Sequence, residues 1–238
     1  MSFRNTVTII ASPRPRVGKT MLARLVTDFH IHEGRAAAAF DLNTGETALA
    51  RFAPEHAAPA DIADVKGQMA LFDRLVADDD VAKIVDVGHE KFEEFFTQAV
   101  RIGLAEEARH RDIAPSILFI ATPDRSSIEA YRRLRSLMPL ATLTPAYNEL
   151  LGPPQHRDSY PVLGHREPLR FPALAPALRK YIERPPFSFA DEQLANDRSI
   201  PLDGHIELQR WLRKTYGQLR ELENQIDVDR VTSHIGAN

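Results

Sequence analysis

The chain reads as an α/β protein, three layers in the order αβα around a mostly parallel central sheet. Short apolar runs alternate with amphipathic stretches through the first 150 residues, the pattern that gives parallel strands joined by helices on both faces. The first run, Val7-Thr8-Ile9-Ile10-Ala11, passes through a turn into Gly18-Lys19-Thr20 and then into an amphipathic segment, so strand, loop and helix follow in order. The second and third apolar runs end on Asp41 and Asp86, which places carboxylates at strand ends.

Taken in order, residues 7–11 form the first strand, rich in β-branched side chains. Residues 19–33 form a helix that stops at Gly34, a residue suited to the left-handed C-terminal cap. Residues 36–42 read as a buried second strand. Residues 62–76 are helical, with Ile62, Val65, Met69, Phe72 and Val76 on one face at helical spacing. Residues 82–87 give the third strand, 92–108 a helix, 116–121 the fourth strand, 126–138 a helix and 141–145 a short fifth strand. Between 152 and 186 eight prolines punctuate the sequence, which confines helix to residues 173–183 and leaves a sixth strand near Phe171. The last helix covers 204–226, where Leu208, Trp211, Leu212, Thr215, Leu219, Leu222 and Ile226 form one stripe that packs on the sheet. We expect residues 1–238 to make one domain, with the proline-rich segment 152–186 and the helix 204–226 as its closing parts.

Composition narrows the function classes. The 238 residues are 43% hydrophobic and 26% charged, ordinary for a folded globular chain, and the net charge of −3 gives no global attraction to nucleic acid. There is no cysteine, which excludes disulfides, a thiol nucleophile and thiolate metal sites. No apolar run approaches transmembrane length, and Met1-Ser2-Phe3-Arg4-Asn5 leads straight into a strand without a signal-peptide pattern. A cytoplasmic location is the expectation.

The loop Pro13-Arg14-Pro15-Arg16-Val17-Gly18-Lys19-Thr20 carries the chemistry. A helix N-terminus presents unpaired N–H groups and the positive end of its dipole to an anion. Gly18 permits close backbone approach, Lys19 neutralises the β- and γ-phosphates, and Thr20 offers a hydroxyl to Mg²⁺. Contacts to a nucleotide are expected from Arg16, Val17, Gly18, Lys19, Thr20 and Met21. The spacing departs from the usual G-x-x-x-x-G-K-[ST]: Pro13 replaces the first glycine, and two prolines remove two N–H donors.

Loop and strand ends together resemble the ParA/MinD family of P-loop ATPases, which use a deviant loop K-G-G-x-G-K-[ST]. The resemblance runs over roughly residues 5–150 as a pattern, and over the whole chain in length and element order. Aligned on Gly18-Lys19-Thr20, the family's signature lysine falls on Arg14 and its double glycine on Pro15-Arg16. The family's D-x-D-x-G strand end is similar to Asp41-Leu42-Asn43-Thr44-Gly45, with Asn43 in place of the carboxylate thought to position the attacking water. Asp86-Val87-Gly88 looks like its Walker B and switch region, and Asn148 is placed like its adenine-contacting asparagine. The resemblance implies ATP and Mg²⁺ as cofactors, metal held through Thr20 and Asp86, and catalysis involving Lys19, Asp41, Asn43 and Arg14. It also implies a homodimer on ATP binding with Arg14 acting across it, slow hydrolysis, and DNA or a protein activator as partner. An alternative within the superfamily is a small-molecule kinase or ligase resembling dethiobiotin synthetase, for which residues 36–47 offer no substrate-binding lysine. A third is a nucleotide-binding scaffold without turnover.

The other clusters point to less. His30 and His32, two apart, face different sides of a helix, and His89-Glu90 lacks zinc-site spacing. Arg132, Arg133 and Arg135, and Arg210, Arg213, Lys214 and Arg220, read as solvated helix faces that could also touch DNA phosphates.

Overall fold

The computed structural model describes residues 6–43, 48–152, 157–162, 166–190 and 200–235. Seven strands form one sheet: β1 (Thr6–Ala11), β2 (Ala37–Asp41), β3 (Ala57–Pro59), β4 (Ala82–Asp86), β5 (Ala114–Ile120), β6 (Thr142–Asn148) and β7 (Leu169–Phe171). Their order is β3-β2-β4-β1-β5-β6-β7, and every pairing is parallel. The helices among the described residues are α1 (Lys19–His32), α2 (Ala48–Phe52), α3 (Val65–Leu75), α4 (Phe92–Arg101), α5 (Leu104–His110), α6 (Arg125–Leu137), α7 (Pro176–Ile182) and α8 (Leu202–Ile235). The expected three-layer α/β architecture is therefore present.

Because parallel strands need crossovers, both faces of the sheet are covered, and alternation along β1 divides the core in two. Val7, Ile9 and Ala11 pack with Phe72, Phe95, Phe96, Phe119 and Tyr131 on one side. Ile10 packs with Leu22, Leu25, Phe29, Leu118 and Trp211 on the other. The stripe on α8 is buried as expected from Leu208 to Leu222, and Trp211 donates its indole N–H to the Pro172 carbonyl at 2.7 Å.

Four boundaries differ from the sequence reading. The helix expected over 92–108 is split, because Gly103 turns into the left-handed region (φ 66°) between α4 and α5. The helix expected from Ile62 starts only at Val65, capped by the Asp64 carboxylate, which accepts from Gly67 N at 2.7 Å. Its buried face is Leu71, Phe72 and Leu75, so Val65 and Met69 are exposed rather than in the core. The fifth strand of the reading runs on to Asn148, and the last helix continues past Ile226 to Ile235. β3 and α2, both short, were not expected at all.

α1 is tied to the chain after α7 by a buried pair. The Arg24 guanidinium lies 3.7 Å from the Phe52 ring centroid and donates to the Ile182 carbonyl at 2.8 Å. Asp28, one turn on, accepts from Ser188 Oγ at 2.7 Å and Phe189 N at 2.5 Å. Toward the far end of α1, between α8 and the starts of β1 and β5, lies a chamber of about 40 Å³ lined in part by Phe29, His30, Ser116 and Glu223.

Candidate functional site

The carboxyl ends of β1, β2, β4 and β6 converge on the loop between β1 and α1, because parallel strands all point the same way. Two residues give that loop its shape by positive φ: Arg16 at 59° and Gly18 at 100°, the latter immediately before the first residue of α1. Glycine reaches such a φ without the Cβ penalty. At Gly18 it is required twice over, since a Cβ there would come within 2.7 Å of Asn148 Nδ2.

Lys19 is buried and folds back over its own loop, with Nζ donating to the Arg14 carbonyl at 2.7 Å. Burial lowers its pKa, and the Asp86 carboxylate opposes that shift. Thr20 Oγ1 donates to Asp86 Oδ2 at 2.6 Å. Asp86, at the end of the fully covered strand β4, is completely buried, and its pKa rises to about 6. Desolvation is the main cause and the neighbouring Asp41 adds to it, while Thr20, Lys19 and Asn43 oppose.

Asp41 and Asp86 are directly paired across β2 and β4. Asn43 bridges them: its Nδ2 donates to Asp86 Oδ2 at 3.1 Å and also to Asp41 Oδ1. Asp41 is further fixed by Asn43 N and Leu49 N, each at 3.0 Å. Gly88 sits against this bridge, where a Cβ would come within 3.1 Å of Asn43 Oδ1. Gly45 of the same strand-end pattern lies outside the described residues.

The second Asp86 oxygen is the feature that suits a divalent cation. Oδ1 is buried and has no hydrogen-bond partner among the described residues, beside a hydroxyl and a second carboxylate. Oxygen-only donors of this kind suit Mg²⁺. Among the described residues no group of three His, Asp or Glu side chains forms a metal cage by itself, so the ion would need phosphate oxygens or water to complete its shell.

The structure brings Lys19, Thr20, Asp41, Asn43 and Asp86 together. Gly18 and Val17 stand over Asn148, whose Nδ2 donates to the Val17 carbonyl at 2.9 Å. Arg14 is half exposed and directed at its own chain, with Nε 3.5 Å from Asp124 Oδ2. Asp124, Ser12 and Phe171 were not singled out from sequence. Asp124 caps α6 through Ser127 N at 3.1 Å, and the Asp-x-x-Ser spacing before a helix was the signal available. Ser12 Oγ accepts from Arg14 N at 3.4 Å. Phe171, which lies against Gly18, had no signal beyond its place near a predicted strand.

No protein-family model matches the sequence, and comparison with curated proteins gives no match. Among solved structures, a chain of the MinC:MinD cell division protein complex from Aquifex aeolicus is similar, with a TM-score of 0.52 and 16% identity. The match covers 88% of this chain and 96% of that one. This is a likeness of fold alone: a parallel sheet covered by helices on both faces.

Proposed function

We propose, from this MinD-like fold, that the chain is an ATP-binding switch ATPase that dimerises on nucleotide and hydrolyses it slowly. The observation that carries the reading is the cluster of buried Lys19 and buried Asp86 with Thr20 between them, where β4 ends against the start of α1, with one Asp86 oxygen without a hydrogen-bond partner among the described residues. Lys19 would exchange the Arg14 carbonyl for phosphate oxygens, a stronger, charge-assisted partner. Thr20 and Asp86 would hold Mg²⁺, which when bound neutralises charge between the phosphates. Asp41 fixes Asn43 in place through the short bridge. Asn43 is an amide and accepts no proton as a carboxylate would, which supports slow turnover.

Arg14 stands where the related family carries its signature lysine, and its guanidinium fork suits phosphate oxygens of a second copy. Reaching a second copy would require it to leave Asp124. The cellular role in this reading is positioning or partitioning of DNA or a protein assembly, with a partner surface that accelerates release. Calorimetric titration with Mg-ATP tests binding, and light scattering after gel filtration with a slowly hydrolysed analogue tests dimerisation. The expected result is a shift to dimer for the native chain and a nucleotide-bound monomer for Arg14→Ala. An Arg14→Ala chain that dimerises normally would remove the arginine from the interface.

A further inference from the structure

We infer that Asn148 and Phe171 position the phosphate-binding turn from below, and that Asn148 serves the phosphates and not the nucleotide base. The inference rests on the reading of the β1–α1 loop as a phosphate site. The two residues are register partners at the ends of β6 and β7, so they form one floor. Asn148 is 9% exposed, and both ends of its amide are engaged within the chain. Nδ2 donates to the Val17 carbonyl at 2.9 Å, and Oδ1 accepts from Leu150 N at 3.0 Å. The Phe171 ring lies 3.5 Å from the position a Gly18 Cβ would take.

In a trans peptide the C=O and the following N–H point in opposite directions. Anchoring the Val17 carbonyl to Asn148 therefore aims the Gly18 N–H the other way, to the open side of the loop. Glycine is the residue with the most backbone freedom to lose, so a left-handed Gly18 needs an external hold to stay in one conformation. The hold matters more here than in a glycine-rich loop, because Pro13 and Pro15 contribute no N–H and fewer donors remain to meet an anion. The floor is in turn braced by α8: the Gln218 side chain accepts from Arg170 N at 2.9 Å, and Trp211 holds Pro172.

The test compares native, Asn148→Ala and Phe171→Leu chains in two measurements. Hydrogen exchange without nucleotide reads the loop directly: amides of residues 17–19 should exchange faster in both variants while global unfolding stays cooperative. Calorimetry with Mg-ATP, Mg-GTP and Mg-tripolyphosphate reads the consequence. Asn148→Ala should weaken all three by the same factor, about tenfold, the effect of freeing the Val17 carbonyl; the bond from Leu150 N, also lost, lies outside the loop. Phe171→Leu should produce a smaller loss, again equal across the three. A loss confined to ATP would make Asn148 a base contact and overturn the inference. Unchanged exchange and unchanged affinity would overturn the hold itself. Faster exchange in a chain whose native form binds none of the three ligands would keep the hold, but would overturn the phosphate reading and with it the role assigned to Asn148.

Discussion

Asp86 is the residue at which stability and chemistry pull in opposite directions. Its folded pKa of about 6 lies above the unfolded value near 3.8, so the stability it contributes is complete below pH 3.8 and is lost as pH rises through 6. Above that, the protein carries a buried carboxylate at a cost of about 3 kcal/mol. Asp86→Asn should therefore be the more stable chain at pH 8 by urea unfolding, and should lose any Mg²⁺ dependence of nucleotide binding. Equal stability of the two chains at pH 8 would contradict the burial argument. Lys19→Ala should weaken Mg-ATP binding by roughly 1.5–3 kcal/mol, one charge-assisted contact, as read by calorimetry. Asn43→Asp should raise the single-turnover hydrolysis rate while ATP affinity stays within a few fold. A third carboxylate beside Asp41 and Asp86 would also repel both, so a rate that stays flat or falls would show that the bridge matters more than a base. Sequence pointed to the members of this cluster because each sits at a strand end or helix start. It did not show that Asn43 links two carboxylates, since that contact is made across β2 and β4.

At the scale of elements, β-branched composition found β1, β4 and β5, while β3 escaped because Ala57-Ala58-Pro59 has no β-branched residue and its proline is tolerated only at an edge. The α4–α5 break escaped because an internal glycine reads as a weak helix residue until its φ is known. Val65 and Met69 share a face with Phe72 by their spacing yet are exposed, because periodicity gives a face and not which of its turns overlies the sheet. The tie between α1 and the segment after α7 was invisible for a different reason: Arg24 and Asp28 meet partners some 160 positions away. Removing the Asp28 carboxylate would take the counter-charge from a buried guanidinium and two hydrogen bonds from the segment at 188–189. Asp28→Ala should cost about 3–5 kcal/mol in chemical unfolding, and Asp28→Asn less. A loss under about 1 kcal/mol for Asp28→Ala would show that the tie is incidental.

At the scale of the whole molecule, acid sensitivity should come from the end of the sheet away from the β1–α1 loop. His30 lies in the chamber wall with Nδ1 unpartnered among the described residues, facing Arg35 and 3.9 Å from Glu223. Burial, reinforced by Arg35, lowers its pKa to about 3 against an ordinary 6.5. The sign follows: the unfolded chain takes up the proton first, so stability is full above pH 6.5 and falls toward pH 3, by at most about 1.4 kcal/mol per pH unit. His30→Leu should flatten that slope in urea midpoints measured from pH 4 to 7, and an unchanged slope would acquit the histidine. The sheet order has a further consequence, for the chain as it is made. β1 precedes every other described strand, yet sits in the middle of the sheet, with partners at Lys83–Asp86 and Ala114–Phe119. A nascent chain must therefore hold both edges of its β1 segment unpaired until Lys83–Asp86 emerge, and one edge until Ala114–Phe119 follow, exposed to chaperones and to mispairing. The β1–α1 loop hangs from that strand, so a ribosome-arrested chain that has not yet released β5 should be cut throughout by protease and, on the proposed reading, retain no ATP. Release of the chain through α8, which completes the floor of β6 and β7 and its brace, should bring protection and binding together.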